Sequence, residues 1–167
     1  IAHIPEDRQK HGLILDFTLE NNLILEKFNK VPFQKKGIIN KAQIRQYANE
    51  MIKKYDIRSS NGATTIVRNM SGGNQQKLII ARELDRKPEL LIACQPTRGL
   101  DIGAIEFIHK QIINERDNGA AILLVSYELD EVMELADRII VIYEGEIVGE
   151  FDPKKVNVNE LGLYMSG

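Results

Sequence analysis

The residues with the clearest chemical potential occupy positions 70–77, Met-Ser-Gly-Gly-Asn-Gln-Gln-Lys. Ser71 is suited to cap a helix that begins at this point, and Gly72 and Gly73 carry no side chain that would keep an anion away from the backbone. The unbonded amides of a helix start lie at the positive end of the helix dipole and attract phosphate. An ordinary capped helix has the same pattern, so these residues taken alone indicate a phosphate site only weakly.

The first half of the chain is predicted to supply helices that hold this segment. The helix after Ser71 is expected to run to about Arg86, since Pro88 stops it. An earlier helix begins at Asn40, with Gln43 placed as in a capping box. Apolar residues follow it at helical spacing, at Ile44, Ala48, Met51 and Tyr55. Before it, a helix capped by Thr18 or Asp16 is expected to reach about Phe28, and residues 31–37 break it with a proline and a glycine.

From residue 89 onward, short apolar segments alternate with segments of helical length, a pattern typical of a parallel sheet covered by helices. The predicted strands are 90–94, 120–126 and 138–143, with helices at 103–118 and 128–136 between them. Glu144-Gly145 then turns into a last strand, 146–151, as an antiparallel hairpin. Residues 1–4 read as the end of another strand, stopped by Pro5. A final helical turn is predicted in the polar tail. Together, these elements predict an α/β fold.

The composition describes one globular domain and excludes several classes of protein. Hydrophobic residues make up 43% of the 167 residues, and 22 basic against 24 acidic residues leave a net charge of -2. That balance gives no electrostatic reason to expect nucleic acid as a partner. A single cysteine excludes an internal disulfide and fits a reducing compartment. The longest apolar runs, 90–94 and 120–125, are far shorter than the roughly 20 residues needed to cross a bilayer.

Four segments in order give the chain a family resemblance. Residues 70–77 resemble the signature motif of ABC ATPases, usually LSGGQ, in the variant of the second nucleotide-binding domain of importers for simple sugars and nucleosides. Residues 90–101 resemble a Walker B strand that continues into the D-loop. Residues 4–8 resemble the Q-loop region, with Glu6 in the place of the usual Gln, and residues 125–132 resemble the switch region.

The resemblance implies a partial P-loop NTPase domain over residues 1–167. Residues from about 8 to 86 would form the helical subdomain with the signature helix, and residues from about 87 to 167 the distal part of the RecA-like α/β subdomain. The Walker A loop, a glycine-rich turn that ends in Gly-Lys-Ser or Gly-Lys-Thr, has no match in these residues. Together with a first residue that is not methionine, this predicts a chain cut from a longer protein, although processing would leave the same start.

Three positions depart from the family pattern, and all three concern catalysis. Cys94 and Gln95 stand where the family has an Asp for the magnesium shell and a Glu that orients water, and Tyr127 replaces the usual switch His. A thiol is a poor ligand for magnesium, and an amide cannot act as a base. This chain is therefore predicted to be inactive alone, with no confident catalytic residue of its own.

The resemblance implies that two nucleotide-binding domains pair head to tail, each completing the other's site. In that arrangement the ATP of the partner domain meets the signature residues, namely Ser71, Gly72, Gly73, Asn74 and Gln75. Asp101 in the D-loop would reach toward the partner's Walker A loop, and it also suits the N-cap of the following helix. Glu6 holds the Q-loop position. ATP and Mg²⁺ belong to the full assembly, and neither is expected on this chain alone.

The resemblance also implies membrane-spanning permease subunits as partners, at the cytoplasmic face of the cell membrane. Four apolar residues of the helical part are candidates for that contact, although most are expected in the core: Ile14, Phe17, Phe28 and Phe33. The exposed edges of an incomplete sheet predict self-association of the isolated chain. Two other readings stay open, a non-transport ABC ATPase fragment and a free-standing protein-interaction module.

Smaller expectations concern histidine, cysteine, arginine and lysine. The histidines at 3, 11 and 109 lack metal-ligand spacing and are expected on the surface or in loops, so no metal site is predicted. Cys94 is expected to be a buried strand residue. Arg98 is expected to hold its turn by hydrogen bonds, with contact to a phosphate as the alternative. Lys35 and Lys36 are expected in a solvated loop, with lipid headgroups as the alternative partner.

Overall fold

The structure is a computed structural model that describes residues 1–166. It divides into two compact units, Ile1–Leu123 and Leu124–Gly167. The helices are α1 Leu19–Leu23, α2 Lys41–Lys54, α3 Gly72–Leu84, α4 Ile102–Asp117, α5 Leu129–Leu135 and α6 Val158–Ser166. The strands are β1 Ala2–Ile4, β2 Gln34–Lys35, β3 Ile38–Ile39, β4 Leu90–Cys94, β5 Ala121–Val125, β6 Ile139–Tyr143 and β7 Glu146–Phe151. No helix among the described residues has the length and apolar character needed to cross a bilayer.

The sheet of the first unit has the strand order β1-β4-β5. β1 pairs in parallel with β4, with Ala2 opposite Leu91 and Ile4 opposite Ala93. These four side chains are buried and alternate with more exposed neighbours, as expected for a sheet with one covered face. α3 packs against β1 and α4 packs against α3, so α3 lies between the sheet and α4 in one core.

α2 and α3 begin where the sequence predicts. The Asn40 side chain accepts a hydrogen bond from the Gln43 amide at 3.2 Å. All four apolar residues at helical spacing in the α2 region are buried, namely Ile44, Ala48, Met51 and Tyr55. α3 ends at Leu84, two residues before the predicted end, and Asp85 follows it as the C-cap.

The helix predicted to reach Phe28 is shorter. α1 ends at Leu23, and the chain continues to Lys30 through turns. Each turn is closed by a hydrogen bond between residues three positions apart, such as Lys27 N–H to the Ile24 carbonyl at 2.9 Å. Asn22 explains the early end, because its buried side chain binds both the amide and the carbonyl of Ile14. A side chain that bonds to backbone in this way competes with continued helix.

The segment predicted as a helix-breaking loop contains a small hairpin. β2 and β3 pair antiparallel, with Lys35 opposite Ile38. Lys36 and Gly37 make the turn with φ of 51° and 81°, the combination that a type I′ turn requires. Two residues per strand give too short an alternation for the sequence to reveal.

α4 buries one face, at Ala104, Ile108 and Ile112. His109 lies next to this face and is buried as well, so its prediction as a surface residue is wrong. The sequence could not decide the burial of His109, because a histidine at the edge of an apolar helical stripe is covered or exposed according to which segment packs on it.

The second unit contains the predicted hairpin. β6 pairs with β7, and the turn at Glu144 and Gly145 has φ of 47° and 85°. The core of this unit consists of Ile139, Val141, Val156 and Leu161, with α5 residues and Phe151 packed against it. The final helical turn of the prediction is a longer helix, α6.

Candidate functional site

The start of α3 has the geometry expected of an anion-binding helix terminus. Ser71 is the N-cap, with an extended backbone, and its exposed hydroxyl lies 3.5 Å from the Asn74 amide and 2.8 Å from the Asn74 side-chain amide nitrogen. The amides of Gly72 and Gly73 belong to the first turn, where no intrahelical acceptor exists. A hydroxyl and two backbone amides therefore meet at the positive end of a 13-residue helix.

The glycines have a second role that the sequence did not suggest. A Cβ on Gly72 would lie 3.1 Å from Nη2 of Arg8, and a Cβ on Gly73 would lie 3.1 Å from Cβ of Ala104 and 3.6 Å from Oδ2 of Asp101. The glycines thus allow close approach of an arginine on one side and the start of α4 on the other. The two glycines therefore leave the amides open to an anion and also let Arg8 and α4 pack beside the helix start.

Asn74 and Gln75 direct their side chains into the protein. Oδ1 of Asn74 accepts a hydrogen bond from the Arg58 amide at 2.7 Å. Gln75 is buried, donates to the Val67 carbonyl at 3.0 Å and accepts from Nε2 of Gln9 at 3.2 Å. These contacts tie the first turn of α3 to the segments before it.

The D-loop segment forms a tight turn between β4 and α4. The Arg98 amide donates to the Gln95 carbonyl, and the Leu100 amide to the Thr97 carbonyl, both at 3.2 Å. Asp101 then caps α4, with Oδ1 accepting from the Ala104 amide at 2.9 Å. The cap is present as predicted, and the reach of Asp101 toward a partner domain stays a prediction.

The predicted Q-loop region is bound directly to this turn. Oε1 of Glu6 and Nη1 of Arg98 form an ion pair at 2.6 Å, and Nη1 of Arg8 donates to the Arg98 carbonyl at 3.0 Å. Arg98 therefore does hold the turn through hydrogen bonds, as expected. Arg8 was missed as a site residue, although its place two residues after Glu6 was visible in the sequence.

A single π-helical turn, Arg8–Gly12, leads from Glu6 to the helical part. Asp7 caps it and accepts hydrogen bonds from the Lys10 and Gln9 amides, both at 3.0 Å. These bonds, above all that from Lys10, hold the pKa of the Asp7 carboxyl below its ordinary value. A Cβ on Gly12 would meet Cδ1 of Ile79 at 2.5 Å, so this turn lies tightly against α3.

The end of β4 lacks a donor set that suits Mg²⁺. Cys94 is half-buried, which corrects the expectation of a fully buried cysteine, because Leu91 and Ala93 point to the covered face of the sheet and Cys94 does not. Gln95 is only 5% exposed and has φ of 48°. A soft thiol and a neutral amide do not fit a hard cation that prefers carboxylate and water.

Two amide atoms near the end of β4 are buried and have no partner among residues 1–166, Nε2 of Gln95 and Oε1 of Gln76. Nε2 of Gln76 donates to the Pro96 carbonyl at 2.8 Å, which attaches α3 to the turn. Gln76 belongs to the site as a packing residue that sequence reasoning did not single out. Both glutamine side chains are buried inside the first unit.

Tyr127 belongs to the second unit. Its side chain is 73% exposed, and the neighbouring Ser126 hydroxyl accepts a hydrogen bond from the Glu128 amide at 3.1 Å. The other predicted site residues, Glu6, Ser71 to Gln75, Cys94, Gln95 and Asp101, all lie in the first unit.

Comparisons with known proteins identify the family of the chain. Residues 2–98 match the sequence profile described as ABC transporter. The chain is 52% identical over its whole length to the guanosine import ATP-binding protein NupO of Bacillus subtilis, and 47% identical to the nucleoside import ATP-binding protein NupA of Lactococcus lactis. It covers 32% and 33% of these two proteins, so it spans about a third of their length.

A solved structure supports the same assignment. The dimeric structure of MJ0796, a bacterial ABC transporter cassette, aligns with 92% of this chain at a TM-score of 0.70 and 26% sequence identity, and 62% of that cassette is covered. The matched profile includes the β1 region, α3 and the end of β4, and therefore most of the residues that form the site. The chain belongs to the ABC transporter family.

Proposed function

We propose that this chain is part of the ATP-binding subunit of an importer for nucleosides or simple sugars, and that it completes a nucleotide site whose phosphate loop belongs to another domain. The start of α3 carries this proposal, since Ser71, Gly72 and Gly73 present a hydroxyl and two amides there. The names of two relatives, for guanosine and nucleoside import, support the substrate class.

In the proposed assembly the α3 start lies against the terminal phosphate of ATP held by the partner domain. ATP supplies the phosphoanhydride bond whose hydrolysis drives transport. The first-turn amides bind the phosphate oxygens, and the Ser71 hydroxyl adds one more donor. Asp101 lies beside Gly73, since a Cβ on Gly73 would be 3.6 Å from its Oδ2, and this closeness supports a role for Asp101 in contact with the partner domain.

The chain's own catalytic positions are proposed to be inactive. Cys94 offers no hard ligand, Gln95 cannot accept a proton, and Tyr127 replaces the expected histidine. The full assembly would then contain one site that hydrolyses ATP and one that mainly retains nucleotide. The hydrolysing site is the one to which this chain contributes α3.

The proposed location is the cytoplasmic face of the membrane, against permease subunits. Of the four apolar candidates for that contact, Ile14, Phe17 and Phe28 are exposed, at 42%, 45% and 53%. Phe33 is buried at 6% exposure and packs edge-on against Tyr47 at 5.0 Å, so it belongs to the core. The exposed edges of β1 and β5 leave self-association of the isolated chain as part of the proposal.

The decisive test is nucleotide binding by the chain alone and by a mixture with an intact nucleotide-binding domain of the same transporter, read with a fluorescent ATP analogue. We expect little signal from the chain alone and a clear increase over the intact domain in the mixture. Ser71→Ala should weaken the increase, and Lys53→Gln, an exposed change on α2, should leave it intact. No increase in the mixture would favour a protein-interaction module instead.

A further inference from the structure

The segment around the β2–β3 hairpin has a charge unlike the rest of the chain. Residues 27–41 contain five lysines and no aspartate or glutamate, although the whole chain carries a net charge of -2. Lys27 is used internally, in an ion pair with Asp85. The four remaining lysines of the segment are exposed, at Lys30, Lys35, Lys36 and Lys41.

None of these four lysines takes part in an ion pair within residues 1–166, and acidic residues of α1, the following turns and the end of α3 pair with other cations. Glu20 on α1 pairs with Arg45, and Glu26 in the following turns pairs with Arg86. The hairpin therefore presents uncompensated positive charge.

Apolar side chains stand exposed among the lysines. Val31, Ile38 and Ile39 are 80%, 75% and 45% exposed. Lys35 lies directly opposite Ile38 in the hairpin, so a cation and an isoleucine share one face. Three large aliphatic residues on a short basic hairpin make a combined apolar and cationic surface, which we call the hairpin surface (Lys30, Val31, Lys35, Lys36, Ile38, Ile39 and Lys41).

The hairpin is anchored rather than free. Phe33 packs in a buried cluster with Ile24 and Ile44. The Asn40 amide donates to the Phe33 carbonyl at 2.8 Å, and Nε2 of Gln34 donates to the Asn29 carbonyl at 2.6 Å. The backbone of an anchored hairpin has little conformational entropy left to lose on binding.

We propose that the hairpin surface binds an anionic lipid bilayer, with the lysines at the headgroups and Ile38 and its apolar neighbours in the interfacial layer. Lysine attracts anionic lipid, and its long aliphatic stem lets the ammonium stay at the headgroups while apolar neighbours go deeper. The turn that joins the two strands is open, since nothing lies within 4 Å of a Cβ built on Gly37, so the turn has room to approach an interface. The proposal goes beyond the nucleotide chemistry and does not depend on it.

The first test measures cosedimentation of the 167-residue chain with vesicles of pure phosphatidylcholine and of equal parts phosphatidylcholine and phosphatidylglycerol. Binding is expected only to the anionic vesicles and should fall with added salt. Lys35→Gln combined with Lys36→Gln should weaken binding about 25-fold, the product of about fivefold for each lysine. The matched control, Lys53→Gln with Lys110→Gln, removes the same charge from exposed positions on α2 and α4 and should have little effect. Equal losses in both pairs would overturn the proposal.

The second test uses the absence of tryptophan from the chain. Ile38→Trp places a single fluorophore on the hairpin surface, and Ile102→Trp places one at an equally exposed position, 76% against 75%, outside it. Anionic vesicles should shift the emission of the first variant to the blue and leave the second unchanged. Unshifted emission from the first variant would overturn insertion. Binding to polyglutamate without binding to vesicles would indicate an acidic protein partner and would also overturn it.

Discussion

The start of α3 and the end of β4 lie in the same unit, and each would contribute to a nucleotide site through a different kind of group. At the start of α3, the groups that would bind phosphate are backbone amides and one hydroxyl, at Ser71, Gly72 and Gly73. At the end of β4, the groups that we propose stand at the catalytic positions are the side chains of Cys94 and Gln95, a soft thiol and a neutral amide. In the proposed assembly, the first region would bind phosphate and the second would not support hydrolysis.

A site made of backbone groups and a site made of side chains depend on different properties of the chain. A backbone site depends on what its neighbours leave open, and here Arg8, Asp101 and Ala104 approach the glycines without closing them. A side-chain site depends on residue type, and a single substitution can end its chemistry without changing the fold. Gln95 is buried and has a left-handed backbone.

The largest effect should come from closing the backbone site. Gly73→Ala sets a methyl group 3.1 Å from Cβ of Ala104, which is fixed on α4, so the helix start has to move. Hydrolysis of ATP by the full transporter should fall about a hundredfold, the usual cost of a misplaced transition-state donor. Gly72→Ala meets only the flexible end of Arg8 and should cost much less. Steady-state phosphate release checks both, and equal activities would break the contrast.

The next effect concerns Gln95. Gln95→Glu places a carboxylate in a buried position and should lower the free energy of unfolding by about 2–3 kcal/mol at neutral pH. Burial raises the pKa of the new carboxyl, so the loss should be absent below the ordinary glutamate pKa of about 4.3 and grow as the pH rises through the folded-state pKa. Urea unfolding at several pH values measures it. Gln43→Glu, at the start of α2, should change stability by less than about 0.5 kcal/mol. A similarly small effect at Gln95 would mean that this position is open after all.

A smaller effect is expected at the far end of α3, where Asp85 binds Lys27 at 2.6 Å and the Tyr47 hydroxyl at 2.8 Å. Burial raises the pKa of the Asp85 carboxyl, but the hydrogen bonds from Lys27 and Tyr47 outweigh it, so the pKa lies below the ordinary value. Asp85→Asn should cost about 2 kcal/mol at pH 7. The difference from the wild type should be complete above about pH 3.9 and disappear as the pH falls through the depressed folded-state pKa. Nucleotide binding with a partner domain should not change, and a loss there would tie this cluster to the site.

The smallest effect distinguishes the two N-caps. Asp101 accepts from Ala104 at 2.9 Å, whereas Ser71 lies 3.5 Å from the Asn74 amide. Asp101→Ala should therefore cost about 1 kcal/mol and Ser71→Ala about half as much, by thermal unfolding. The reverse order would indicate that the Ser71 hydroxyl serves the helix more than a ligand.

The elements that the sequence predicted well are those with a local cause. Asn40 and Ser71 cap their helices through their own side chains, and the alternation of β4 needs only the two faces of a strand. The errors had distant causes. α1 ends early because Asn22 binds Ile14, and His109 is buried by what packs beside α4. The β2–β3 hairpin was too short to leave a pattern.

The sequence alone determined the family and the start of α3, because these depend on residue type and order along the chain. It also supplied the hypothesis that Cys94, Gln95 and Tyr127 leave the chain without catalytic groups, which stays a prediction. Only the tertiary structure decided which side chains surround the helix start. Arg8 and Gly72 are 64 positions apart in the chain, as their numbers show. A methyl group on Gly72 would nevertheless lie 3.1 Å from Nη2 of Arg8. Such contacts depend on how distant segments pack, and no local pattern in the sequence encodes them.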